Sequence, residues 1–240
     1  MNIFVVILHY GPVEQTQRLH EQLLTSNTAL KEKILVFDNA SPIPYPGVWL
    51  RAERNLYWAG ALERVMEILA SHGASHVWFL NNDVVFTSKP PYLERATARL
   101  RRAEKLIGPV GIYAPAVTTN PYHPQMIVNP KGQFREVRYV DGIAPLISVN
   151  FWKQAGLDYA GNPYGYGVDL WFSLQARKFG FTCVLDHQVV LRHRYHSTAR
   201  NVKGFLATAA VAEKAYLTQR LGPEYQDTIK RMAAETREFG

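Results

Sequence analysis

Short, unbroken apolar runs alternate with amphipathic stretches over the first half of the chain. Residues 3–8 (Ile-Phe-Val-Val-Ile-Leu), 34–37 and 77–80 are of strand length and carry no polar interruption, the pattern of strands buried on both faces of a parallel sheet. Between them, residues 13–24 set Leu19, Leu23 and Leu24 on one helical face behind Pro12, a residue tolerated at a helix start. Residues 59–70 repeat that spacing with Leu62, Val65, Met66 and Leu69, and His72-Gly73 closes the helix in the manner of a C-terminal cap. This β-α-β-α-β succession predicts an open α/β sheet, mostly parallel and flanked by helices, whose ligands sit beyond the carboxyl ends of the strands.

Further along, residues 92–106 predict a helix bounded by Pro90-Pro91 and Gly108-Pro109. Residues 113–117 read as a strand, the polar and proline-bearing stretch 118–141 as a mobile loop or hairpin, and 143–151 as another buried run. Residues 168–179 predict a helix, 181–185 and 189–191 two short strands, and 207–221 and 224–238 two helices split by Gly222-Pro223. No repeat, low-complexity tract or linker divides the chain. One domain (1–203) with a C-terminal helical extension (204–240) packed on it is expected.

Composition removes several classes. At 240 residues and 47% hydrophobic, the chain can bury a core large enough to offset the entropy of ordering, which excludes disorder. No apolar run reaches the about 18 residues of a membrane span; the nearest, 205–212, is short and alanine-rich. Met1-Asn2 leads directly into the first strand without a basic region or cleavage site, so a signal peptide is not expected. A cytoplasmic location is expected by default, with peripheral contact at the inner membrane face left open. Cys183, the single cysteine, can form no internal disulfide and no multi-thiolate site, and reads as a small core residue. The net charge of +7 favours anionic partners. Its densest stretch, Arg95, Arg99, Arg101, Arg102 and Lys105, is either a solvated helix face or a surface for anionic membrane or acceptor. No zinc-finger spacing or RNA-binding aromatic signature accompanies it, so nucleic acid is not an expected partner.

The loops that follow the predicted strands hold the chemistry. They are His9-Tyr10-Gly11-Pro12, Asp38-Asn39-Ala40-Ser41-Pro42 and Asn81-Asn82-Asp83. Asparagine and aspartate in any one loop serve equally as turn formers, but two such clusters on one sheet edge point to a ligand. Glycines for a dinucleotide fingerprint are missing after the first strand, and no Gly-Lys-Ser/Thr of a P-loop occurs. An edge carrying aspartates suits a nucleotide diphosphate held through a divalent metal.

In order and spacing, Asp38-Asn39-Ala40-Ser41, Arg54-Asn55-Leu56-Tyr57-Trp58-Ala59-Gly60-Ala61 and Phe79-Leu80-Asn81-Asn82-Asp83 resemble the family 2 glycosyltransferases. The resemblance continues through Tyr164-Gly165-Tyr166-Gly167-Val168-Asp169-Leu170, Arg177, Gly180 and Val190-Leu191-Arg192-His193 with Ser197. It covers about the first 200 residues and is nearest the bacterial rhamnosyltransferase-like branch. It implies a GT-A fold and inverting transfer of a sugar from a nucleotide-diphosphate donor to a glycan or lipid-linked acceptor, as in surface polysaccharide synthesis. Position by position, it implies that Asp38 accepts a hydrogen bond from the base, with His9 and Tyr10 lining the base pocket. Asn39, Asn55, Gly60, Asn81 and Asn82 border the nucleotide, and Arg54 neutralises phosphate. Asp83 ends the family's Asp-x-Asp motif and, with His193, holds Mg2+ or Mn2+. His193 reads otherwise as a plain strand-end histidine. An imide-binding Asp38 favours UDP- or dTDP-sugars, and the aromatic groups Tyr57-Trp58, Trp152 and Tyr164-Tyr166 are either a sugar-stacking wall or core.

Three departures from the family pattern bear on chemistry. Asn81 replaces the first aspartate of the metal motif, which lowers the charge on the site. Tyr57 and Glu63 stand where the family has glycine and asparagine. Gly167 occupies the position of the aspartate that deprotonates the acceptor, and glycine accepts no proton. Asp169, two residues on, is the first replacement expected as base, its other reading being a helix cap; Asp158 or Asp141 are the substitutes. The alternative function is a GT-A module, catalytically impaired, that binds a nucleotide sugar or glycan.

Overall fold

The computed structural model describes residues 1–26, 28–195 and 203–240. β1 (Ile3–His9), β2 (Ile34–Asp38), β3 (Leu50–Arg51) and β4 (His76–Asn81) run parallel in the spatial order β3-β2-β1-β4. Val5, Val6 and Ile7, like Val77, Trp78, Phe79 and Leu80, have no exposed surface. Burying each such side chain contributes about 1.5–3 kcal/mol over leaving it in water, and strands buried on both faces need helices on both. α1 (Val13–Ser26) packs on β1 and β2 through Leu19 and Leu23, and α2 (Tyr57–Ser71) packs on β1 and β4.

The second half extends the sheet from β4. Its elements are β5 (Val84–Phe86), α3 (Tyr92–Ile107), β6 (Val110–Val117), β7 (Phe134–Val137), β8 (Leu146–Ser148), α4 (Val149–Ala155), α5 (Val168–Lys178), β9 (Thr182–His193), α6 (Phe205–Leu221), α7 (Tyr225–Ala234) and β10 (Arg237–Phe239). The full order is β10-β7-β9-β6-β8-β4-β1-β2-β3, with β5 on β9. Only β5, β7 and β8 run against the others among the described residues, so the sheet is mostly parallel, as its buried runs predict.

Three segments differ from their predicted form. Residues 118–141 contain β7, whose four residues are too few to show a period but which lies between β9 and β10 with Phe134 buried. The two short strands expected at 181–185 and 189–191 are one strand, β9, with a register shift opposite Pro115/Ala116. Asp186 looks like an interruption because it is charged. It is fully buried, accepting from Arg99 Nε at 2.5 Å, the Tyr113 hydroxyl at 2.5 Å and Gln188 N at 2.8 Å. One cation of the basic stretch on α3 is thereby tied to the sheet. The helix expected over 224–238 ends at Ala234, and β10 pairs antiparallel with β7, where Arg135 and Glu238 form an ion pair. Pairing across the sheet overrides the local helix propensity. Cys183 is buried, as a core residue should be.

Candidate active site

The carboxyl ends of β1, β2 and β4 and the end of β9 open onto one cavity of about 740 Å3. At the β1 and β2 edge, Tyr10 and Asn39 line it, while His9 and Asp38 lie behind the wall with no exposed surface. His9 is fixed through Nδ1 to Thr16 Oγ1 at 2.6 Å and through Nε2 to the Ile43 carbonyl at 2.8 Å. The Asp38 carboxylate accepts from Ser41 N (2.8 Å), Tyr45 N (3.3 Å) and Arg51 Nη1 (2.6 Å). Of these partners Arg51 is the charged one, and its side chain is 40% exposed.

The start of α2 forms the next wall. Asn39 Nδ2 donates to Asn55 Oδ1 at 2.9 Å and to the Tyr57 carbonyl at 3.1 Å, while Leu56 N donates to Asn39 Oδ1 and Tyr57 N to Asn55 Oδ1. Both asparagines thus satisfy amides that a helix start leaves unpaired. Tyr57 retains a left-handed backbone, φ 53°, a conformation that disfavours any residue with a Cβ by about 1–2 kcal/mol. Packing offsets that cost: its ring stacks on Phe205 at 6.0 Å and meets Tyr164 at 5.0 Å. Glu63 accepts from Trp152 Nε1 at 2.9 Å, fastening α2 to α4. Both departures in this segment are therefore built into the local packing.

Asp83 and His193 meet at the cavity. The pairing of Val84 with His193 in β5 and β9 brings them together, with Arg194 N donating to the Asp83 carbonyl, and His193 Nε2 lies 2.9 Å from Asp83 Oδ1. Both side chains are about nine-tenths buried, and His193 Nδ1 has no hydrogen-bond partner among the described residues. Asn81 lines the same cavity, as does Asn82, whose amide donates to the Tyr10 carbonyl and to Thr16 Oγ1. No group of three or more His, Cys, Asp or Glu side chains suited to a metal occurs among the described residues. One carboxylate, one imidazole and a neutral amide nearby fit a Mg2+ or Mn2+ ion that takes its other ligands from phosphate and water. Ser197 lies outside the described residues.

Opposite stands α5. Asp169, in its first turn, accepts from Gly142 N at 2.7 Å through Oδ2 and from Leu170 N at 2.8 Å through Oδ1. A Cβ on Gly142 would lie 3.0 Å from Trp58 ring atoms and 3.1 Å from Asp169 Oδ2, so this close approach needs glycine. Burial first, and then the neighbouring Asp141, push the Asp169 carboxyl up to about 6, against the opposing effect of His123 and the two amides. Gly167 caps α5 at φ 76°, and three side-chain atoms of Leu217 stand 3.0–3.2 Å from where its Cβ would be. From α6, Phe205, Leu206, Ala209, Ala210 and Glu213 complete the cavity. Desolvation, then the charge of Asp169, push the Glu213 carboxyl up to about 7.

Over 207 residues the chain is 30% identical to the uncharacterized protein Rv1525 of Mycobacterium tuberculosis and to Mb1552 of Mycobacterium bovis, the match covering 83% of this chain and 76% of each relative. The chain belongs to their family. No family model matches it. Among solved structures, GalNAc-T7 in complex with UDP, GalNAc and Mn2+ superposes with a TM-score of 0.63 at 12% identity. The match covers 95% of this chain, which spans about half (49%) of that one. This family member has the GT-A glycosyltransferase fold.

Nine expected residues of this family member are gathered at its cavity: Tyr10, Asn39, Asn55, Asn81, Asn82, Asp83, Asp141, Asp169 and His193. Five are not. His9 and Asp38 support the wall from behind, and Arg54 and Gly60 lie outside it, Arg54 exposed. Asp158 is the clearest correction to the expected base: it pairs with Arg220 Nη2 at 2.5 Å, and its carbonyl accepts from the Tyr216 hydroxyl. Those contacts dock α6 instead of facing the cavity. Glu213 was not among the expected residues, although a signal exists. Phe205, Ala209, Glu213 and Leu217 recur at a spacing of four, an acidic residue within an otherwise apolar helical stripe.

Proposed function

We propose that this chain is an inverting glycosyltransferase that moves a sugar from a UDP- or dTDP-sugar to a glycan or lipid-linked acceptor in bacterial surface polysaccharide synthesis. The observation carrying this reading is the Asp83–His193 pair, 2.9 Å apart at a cavity on the carboxyl edge of a GT-A sheet. The solved GalNAc-T7 structure, of the same fold, holds UDP, GalNAc and Mn2+, and ligands of those classes are proposed here. The base lies beside Tyr10 and Asn39, the diphosphate faces Asp83 and His193, and the sugar rests against the aromatic side chains of Tyr57, Trp58, Tyr164 and Tyr166. Asp38 acts indirectly, by holding Arg51 and the backbone of Ser41 and Tyr45 that shape this end of the cavity. Asp83 and His193 would hold Mg2+ or Mn2+ together with phosphate oxygens; when bound, the ion supplies positive charge to a leaving group that gains negative charge.

Release of nucleoside diphosphate from UDP-glucose, UDP-N-acetylgalactosamine and dTDP-rhamnose, with Mn2+ present, tests the reading. One donor is expected to be turned over, and chelation by EDTA to slow it by about tenfold or more. Tight binding without release would select the impaired binding module instead. Neither binding nor release would end both.

A further inference from the structure

We infer that Glu213, on the C-terminal helix α6, is the general base of the proposed transfer and replaces the carboxylate that position 167 lacks. This inference rests on the glycosyltransferase reading above. Three observations converge on it. Leu217 stands 3.0–3.2 Å from the missing Cβ of Gly167, so α6 fills the space an aspartate would take. Glu213 is one helical turn before Leu217 on the same stripe, which directs it into the cavity beside that place, and it lines the cavity wall.

Glu213 is also the carboxylate left available. Both oxygens of Asp169 already accept backbone amides, from Gly142 and Leu170, and hold the 142 loop against α5. Among the described residues Glu213 has neither a hydrogen bond nor an ion pair, and the environment that acts on it is burial and the Asp169 charge. A carboxyl pushed up to about 7 is matched to proton transfer near neutrality. Asp169 thus positions the loop and raises the basicity of its neighbour.

In the step itself, the acceptor hydroxyl gives its proton to a Glu213 carboxylate oxygen as its own oxygen forms a bond to the sugar C1. The bond from C1 to the phosphate oxygen breaks, and its electron pair leaves on the nucleoside diphosphate. Protonated Glu213 then returns its proton to solvent. Asp169 and Tyr166 interact electrostatically with Glu213, and Tyr122, His123 and Asp141 line the same cavity. Asp169→Asn separates the carboxyl nearest in charge from Glu213 itself.

The test measures kcat for nucleoside diphosphate release, with water as the acceptor probe, for the wild type, Glu213→Gln, Glu213→Asp and Asp169→Asn. Each is followed from about pH 5.5 to 9, beside the dissociation constant for the nucleoside diphosphate. Glu213→Gln is expected to lower kcat by about 10²- to 10⁴-fold, to leave the dissociation constant within about twofold, and to abolish the rise in rate through pH 7 expected of the wild type. Glu213→Asp retains part of the rate and of that rise. A fold check comes with it. The raised carboxyl favours the neutral form in the fold, so stability falls as pH climbs from 4.5 to about 7. Glu213→Gln therefore melts higher than the wild type above pH 7, and with no difference below about pH 4. A Glu213→Gln rate within about threefold of wild type with an unchanged pH profile overturns the inference and leaves the glycosyltransferase reading standing; if Asp169→Asn carries the loss, Asp169 is the base. A wild type that turns over none of the donors overturns both.

Discussion

Gly167→Asp, which supplies the carboxylate that the resemblance to family 2 glycosyltransferases implies at this position, is expected to destabilise the chain by about 3 kcal/mol or more and not to raise turnover. The residue has φ 76°, where a side chain costs about 1–2 kcal/mol. Its Cβ would press on Leu217 at 3.0–3.2 Å, and overpacking of a filled site costs about 1–3 kcal/mol. A further carboxylate would also sit close in sequence to Asp169, whose own protonation is already favoured by burial. For a chain of this size each kcal/mol moves the melting temperature by about 2–4 °C, so a fall of about 6–12 °C is expected by calorimetry. Leu217→Ala in the same chain should recover about 1 kcal/mol of coupling energy in a double-mutant cycle. A melting temperature unchanged in Gly167→Asp would mean that α6 does not occupy this place.

Asp38→Ala should cost a similar amount, about 3 kcal/mol, with no ligand present. Its carboxylate is fully buried and receives Ser41 N, Tyr45 N and Arg51. Leaving a buried donor unsatisfied costs about 1–3 kcal/mol each. Arg51 contributes less, because its side chain is 40% exposed and can turn to water. Chemical denaturation of the ligand-free protein decides between two roles. A residue serving only the donor base would lose nucleotide affinity and keep its stability; one that holds the 41–45 segment loses stability first.

Much of the fold is readable from local pattern because its strands are buried on both faces. Residues 3–8, 34–37 and 77–80 admit no amphipathic period, and the amphipathic stretches between them can only be covering helices. The reading stops where a distant partner decides. Asp186 looks like a strand break until Arg99, 87 residues away in the chain, neutralises it. Residues 237 and 238 look helical until β7 offers an edge. The site divides in the same way. Asp83 and His193 sit at strand ends, where topology alone brings them to one edge. Glu213 acquires meaning only once α6 crosses Gly167, a contact that spans the chain from residue 167 to 217. Asp38 is legible as important but not as to why, since its partner Arg51 belongs to a two-residue strand.

Asp83 and His193 are proposed to mark the diphosphate site of a nucleotide-sugar donor. Thermal melting in the presence of UDP, dTDP, GDP or CDP, each with and without Mn2+, on the wild type and Asp83→Ala is the deciding experiment. Nucleotide at about 100 times its dissociation constant stabilises by about 2.7 kcal/mol, which for this chain is on the order of 5–11 °C. That shift is expected with UDP or dTDP, dependent on Mn2+ and absent in Asp83→Ala. No shift in the wild type with any of the four, or an equal shift in Asp83→Ala, would contradict it.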